Sequence, residues 1–268
     1  HYPRLGIGQL FERMAADVTA RGVEIHCSTT VTGIEITDGQ LTAVLAEGPG
    51  GPERFEADRV ISTIPLQALA PMVAPGTRVA AAGLRHRGLR FLNVALRGDH
   101  LLDGTWYYVA EPRYVMTRIQ EPRQRSPEMA PPGHTAAMLE IPCDPGDPIW
   151  MMSDDELAER VFDDMQALGK PIRDRALWWF STRTASAYPV YQLGYASLRD
   201  TLLDAVDAIP NLHTIGRQGL FRYVFMDTAM EMGWAAADDA MAGRPADSRR
   251  AMALDQDASL READATTA

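Results

Sequence analysis

The chain has 268 residues, 46% apolar and 23% charged, with a formal net charge of −10. That usage is ordinary for a globular protein and excludes wholesale disorder, collagen and coiled coil. A chain of this length buries roughly 70–75% of its unfolded surface in one or two domains. The acidic balance, with no basic run longer than Arg249–Arg250, argues against nucleic acid. The longest apolar stretch, Val60 to Val73, is broken by Ser62, Thr63, Pro65, Gln67 and Pro71, far short of the ~18 residues a membrane span needs. Cys27 and Cys143 cannot build a disulfide framework, so the expected compartment is the cytoplasm. The six histidines are scattered without metal spacing, and Lys170 is the sole lysine.

In chain order, Gly8 to Arg21 predicts a helix, with Leu10, Phe11, Met14 and Val18 at helical spacing and Gly22 as its stop. Val23–His26 reads as a short strand. Val31–Ile36 and Leu41–Leu45 flank Asp38-Gly39 and predict a hairpin, because Asp-Gly supplies the positive φ of a tight turn. Gly48 to Pro52 reads as a loop. Arg59–Pro65 predicts a buried, parallel-type strand. Between Arg78 and Tyr195, strands are expected at Leu89–Leu96, Trp106–Val109, Met116–Ile119, Thr135–Ile141 and Ala176–Thr184, forming a mostly antiparallel sheet that carries helices. Ser153 and Glu156 form a capping box for a helix to about Leu168. Tyr195–Ala208 predicts a helix, Asn211–Ile215 a strand, Gly216–Met226 a loop, and Asp227 the cap of a last helix to about Ala242. The polar, alanine-rich stretch after Gly243 is expected to be disordered.

The segment richest in chemistry runs from Ile215 to Asp227. Gly216 and Gly219 allow close backbone approach to a ligand, Arg217 offers a planar fork for phosphate, and the helix after Asp227 presents free N–H groups and a positive dipole end. The alternative is a surface loop with an ordinary Asp cap. His86, Trp178-Trp179, Met151-Met152, Met230 and Met232 fit structural packing better than chemistry.

Gly216-Arg217…Tyr223-x-x-Met226-Asp227 resembles the C-terminal flavin-binding segment of the FAD-dependent amine-oxidase superfamily, in its protoporphyrinogen oxidase-like and UDP-galactopyranose mutase-like branch. Tyr2-Pro3-x-x-Gly6-x-Gly8-x-Leu10, Ala57–Pro65, Thr117-Arg118-x-x-Glu121 and Tyr188-Pro189-Val190 resemble other stretches of that family in the same order. The resemblance implies an α/β flavoprotein with a Rossmann-like FAD-binding domain and a mostly antiparallel-sheet substrate domain. It implies a partial FAD-binding domain over 1–77, a substrate domain over 78–194, a C-terminal FAD-binding segment over 195–245 and a disordered tail over 246–268.

For the site, the resemblance implies that Val31 meets the adenine, Gly216 and Arg217 the pyrophosphate, and Met226 and Asp227 the flavin ring edge. Arg118, Tyr188 and Tyr223 would bind substrate, and Tyr191, Tyr223 and Arg222 are the catalytic candidates. The expected activity is hydride transfer from a small organic substrate to FAD. A mutase-like isomerisation of a nucleotide sugar is the alternative, and a non-catalytic accessory module the third. The family's strand, G-x-G-x-x-G and helix do not occur in the 268 residues. The chain therefore reads as the C-terminal half of a longer protein, inactive in isolation, with a dinucleotide-binding half supplied in cis or in trans.

Overall fold

The structure is a computed structural model that describes residues 2–253. The elements run α1 (Gly8–Thr19), β1 (Thr30–Thr37), β2 (Gln40–Gly48), β3 (Gly51–Glu56), β4 (Val60–Ser62), α2 (Leu66–Val73) and α3 (Arg78–Gly83). They continue with β5 (His86–Arg97), β6 (Trp106–Tyr108), β7 (Arg118–Gln120), β8 (His134–Pro142), α4 (Pro148–Met151), α5 (Asp154–Ala167) and β9 (Ala176–Pro189). The last are α6 (Tyr195–Asp207), β10 (Leu212–Thr214), α7 (Gly216–Gly219), α8 (Met226–Met241) and α9 (Ser248–Ala253). Two compact units result. Among the described residues, one joins Tyr2–Ile25 with Arg87–Ala187; the other joins His26–His86 with Tyr188–Ala253.

The first unit is built on a five-stranded sheet in the order β6-β7-β8-β5-β9. β5 and β8 pair antiparallel from Leu89 opposite Pro142 to Arg97 opposite His134. Side chains alternate across a strand, so Leu92, Val94 and Leu96 share a face with Ala137, Leu139 and Ile141. That face is buried in one cluster with Leu157, Val161, Phe162 and Met165 of α5. The other face carries Asn93, Ala95, Ala136 and Met138, all half-buried. α5 starts as its sequence predicts: the Ser153 hydroxyl accepts from Glu156 N (3.2 Å), and Ser153 N donates to the Glu156 carboxylate (2.8 Å).

Two buried charges brace this unit. Arg90, 1% exposed on β5, donates to the carbonyls of Ile149 (2.8 Å) and Met152 (2.7 Å), to Asp154 (2.9 Å) and to Ser181 Oγ (2.7 Å). It thereby ties the turn before α5 to β5 and β9. Glu121, wholly buried, accepts from Leu101 N, Leu102 N, Thr135 Oγ1 and Gln124 Nε2.

The second unit holds the hairpin β1–β2 with β3 on its far edge, and a parallel pair β4–β10. The turn is as its residues demand, with Asp38 at φ 51° and Gly39 at φ 75°. The core gathers Leu66 and Leu69 of α2, Leu202, Leu203 and Val206 of α6, Leu212, Leu220, Phe221 and Met232. Asn211 joins hairpin to sheet: its amide accepts from Leu41 N (2.9 Å) and donates to Leu41 O and Asp58 O (both 2.8 Å).

Several expectations are corrected. Val23–His26 forms no strand; Val23 and Ile25 are exposed, and no strand among the described residues pairs with them. The expected loop Gly48–Pro52 is a tight turn into β3, an edge strand where the missing N–H of Pro52 is tolerated. The strand expected at Met116 begins at Arg118. Met151 is exposed rather than core, and of Trp178-Trp179 only the second packs inward, edge-on to Phe162. Ser248–Ala253 is helical although its composition predicts disorder: Ser248 Oγ donates to Asp207 (2.6 Å), and Ala251 and Met252 pack on the core. The remainder of that expected tail, 254–268, lies outside the described residues.

Candidate functional site

The site grows from the carboxyl ends of β4 and β10. In parallel sheets the loops that leave those ends are the usual place for ligands. Ile215 N donates to Ser62 O (3.0 Å), which closes the pair and launches the chain into Gly216. Gly216 has φ 78°, a conformation that strains any residue with a Cβ, and a Cβ there would meet no atom within 4 Å. Gly219 is held for a different reason. A Cβ on it would lie 2.7 Å from Thr214 Oγ1, and that hydroxyl donates to Gly219 O (3.0 Å). Changing Gly216 to alanine is expected to lower stability by about 1–2 kcal/mol through backbone strain alone, read as a shift in urea midpoint. A neutral effect would show that the loop relaxes freely.

Arg217 is the clamp of the segment. Its Nη2 donates to Val224 O (2.7 Å), and its guanidinium lies 4.4 Å from the ring centre of Tyr223 and 5.5 Å from that of Tyr188. Tyr188 and Tyr223 stack at 5.9 Å. Tyr223 N donates to Tyr191 Oη (2.6 Å). Phe221 is fully buried with φ 47°, an uncommon conformation for a bulky residue. The rings of His86 (4.9 Å), Tyr195 (6.2 Å) and Tyr191 (6.3 Å) hold it there. His86 Nδ1 contacts Gln67 Nε2; burial pulls the imidazole pKa down, against a smaller upward pull from Gln218. Its edge-on contact with Phe221 is packing of the kind its sequence setting suggests.

This anchoring sets up a display. Tyr223 is partly exposed, Phe225 stands edge-on to it at 5.6 Å, and Phe225 and Met226 are exposed at the start of α8. Here the sequence expectation is corrected. Asp227 is not the N-cap: α8 begins at Met226, its N-cap is Phe225, and no side chain caps it. Asp227 sits inside the first turn, where Oδ1 accepts from Thr228 N (2.8 Å). The stretch expected as one loop also contains α7.

The remaining predicted residues fall elsewhere. Val31 lies in β1 opposite Ala46, beside an irregularity in the ladder. Arg222 donates through Nη1 to Met252 O of α9. Arg118 belongs to the other unit, where it is ion-paired with the buried Glu140 and lies 5.7 Å from the ring centre of Tyr108. Sequence reading missed Phe221 and Thr214 as supports, since neither a positive φ in phenylalanine nor a hydroxyl-to-glycine bond leaves a pattern in the sequence. Among the described residues there is no group of three or more His, Cys, Asp or Glu able to hold a metal ion, and no helix long and apolar enough to cross a membrane.

Comparison with solved structures gives related folds. The chain superposes on reduced UDP-galactopyranose mutase with a TM-score of 0.75 at 19% identity, covering 90% of this chain and 52% of that one. A protein described as a protoporphyrinogen oxidase, from Exiguobacterium sp. 255-15, gives 0.60 at 22% identity, covering 80% and 46%. A redesigned putrescine oxidase gives 0.60 at 14% identity, covering 88% and 53%. The chain thus spans about half the length of the solved structures it resembles. No curated protein sequence matches it. The family model for flavin containing amine oxidoreductases matches residues 2–241, and the chain belongs to that family.

Proposed function

We propose that this chain is the substrate domain and C-terminal flavin-domain portion of an FAD-dependent oxidoreductase acting on a small organic substrate. The observation that carries the reading is the segment from Gly216 to Asp227, clamped by Arg217 and ending in an uncapped helix start beside exposed aromatic and thioether side chains. These residues fit a flavin. The N–H groups in the first turn of α8 would hold the electron-rich edge of the ring, where the helix dipole favours negative charge. Gly216 would let the backbone approach the pyrophosphate with Arg217 beside it, and Val31 would meet the adenine. When bound, the flavin supplies the hydride acceptor. Tyr188, Tyr191 and Tyr223 would position the substrate, and Arg217 fixes two of these three rings.

The test is to supply FAD to this chain together with a dinucleotide-binding half, fused or as a separate chain. One retained flavin per complex after gel filtration is expected, and colourless protein would refute the reading. A second reading, mutase-like isomerisation of a nucleotide sugar, draws support from the exposed phenol of Tyr223 beside the Arg217 guanidinium, an arrangement suited to a diphosphate. Stoichiometric consumption of an electron acceptor supports the oxidoreductase; turnover with pre-reduced flavin and no acceptor supports the isomerase.

A further inference from the structure

The first unit has a concave feature on the sheet face opposite α5. It is a cavity of about 480 Å³, within the range of small-molecule sites. Ala95 of β5 and Ala136 of β8 line it together with Trp178 and Phe180 of β9 and Met129 from the preceding connection. Alternation explains why these side chains share a face: Leu92, Val94, Leu96, Ala137 and Leu139 point to the α5 side and leave the smaller residues here. Trp178 and Phe180 stack at 5.8 Å with planes only 18° apart, and both are exposed. Two parallel exposed rings beside alanine side chains make a flat slot. Met129 is an adaptable edge, its methyl 3.0 Å from where a Cβ on Gly6 would sit.

The charge pattern narrows the occupant. No Lys, Arg, Asp or Glu lines the cavity, and its one titratable side chain is His134, whose Nδ1 is paired with Pro132 O at 3.0 Å. A diphosphate would find no cation there, and a primary ammonium no carboxylate. We propose that this cavity binds an uncharged, planar, apolar small molecule, stacked on Trp178 and Phe180. Calling this ligand the substrate rests on the flavoenzyme reading. The binding itself does not.

The probe is N-phenyl-1-naphthylamine, neutral and fused-ringed, titrated into the 268-residue chain without flavin and followed by its fluorescence. One saturable site is expected. Trp178→Ala should weaken binding at least tenfold, Trp178→Phe should restore most of it, and Ala95→Leu, which fills the slot, should weaken it at least tenfold. Leu193→Ala, an exposed apolar site in the other unit, should change nothing. The anionic 1-naphthyl phosphate should bind at least tenfold more weakly than the neutral probe. Non-saturable binding, equal affinity for the two probes, or indifference to both Trp178→Ala and Ala95→Leu would overturn the assignment. So would light scattering that shows a dimer dissociated by Trp178→Glu, since a second copy would then be the occupant. Should Trp178→Ala fail to fold, Ala95→Leu decides. A chain that binds the probe but never retains FAD refutes the flavoenzyme reading alone; one that retains FAD but binds no probe refutes this assignment alone.

Discussion

Replacing Arg90 by alanine is expected to destabilise the first unit by about 3–5 kcal/mol, the range for breaking one side of a buried ion pair. The physical reason is the number of partners that lose their donor at once. The carbonyls of Ile149 and Met152, the Asp154 carboxylate and Ser181 Oγ all face the guanidinium. Asp154 is half-exposed and keeps its bonds from Ser181 N (2.8 Å) and Ser181 Oγ (2.6 Å), so its loss is partial. The Ile149 and Met152 carbonyls lose their Arg90 donor outright. Lysine at position 90 should recover less than half of the loss, because a single ammonium cannot reproduce the planar fork. Urea unfolding of the wild type and both variants measures this. A loss below about 1 kcal/mol for alanine would mean that water replaces the fork without penalty.

The second large effect concerns Glu121. Glutamine there keeps the shape but turns one acceptor oxygen into a donor, against the N–H groups of Leu101 and Leu102 and the hydroxyl of Thr135. A loss of about 2–4 kcal/mol at neutral pH follows from leaving buried donors without an acceptor. The pH dependence gives a separate check. Burial pushes the Glu121 carboxyl pKa up, yet the combined hydrogen bonds from Thr135, Leu102, Leu101 and Gln124 outweigh it and hold it below the ordinary range. A folded-state pKa that is depressed contributes stability above the unfolded value of about 4.3, and that contribution is lost as pH falls through the folded value. The gap between wild type and Glu121→Gln should therefore be widest near neutrality and narrow below about pH 4. A gap that stays constant into acid would show that the carboxylate charge is not what holds the 101–102 backbone.

These two residues also show where sequence reasoning stops. Thr117-Arg118-x-x-Glu121 attracts attention as a substrate-domain pattern, and nothing in its spacing announces that Glu121 is a buried anchor or that Arg118 pairs with Glu140. Arg90 reads as one charge within an apolar strand, with nothing nearby in sequence to announce its partners; the nearest lies 59 residues away. The same holds for Asn211, whose amide serves Leu41 across 170 positions. Hydrogen-bond partners set by tertiary packing have no local periodicity.

What the sequence determined by itself is what short-range physics controls. Asp38-Gly39 dictates its turn through positive φ. Ser153 and Glu156 dictate the start of α5 through reciprocal capping bonds. Alternation along β5 and β8 dictates which face meets α5, and Gly216, with φ 78°, marks where the chain turns after β10. Helix and strand periods lie within a few residues, so each choice is legible where it is made. Only the tertiary structure decided that Phe221 sits in a left-handed conformation beneath three tyrosine and histidine rings. It alone decided that Arg217 stacks on Tyr188 and Tyr223, and that Trp178 opens a neutral slot while Trp179 fills the core. These outcomes depend on which distant surfaces pack together, and that information is distributed over the whole chain.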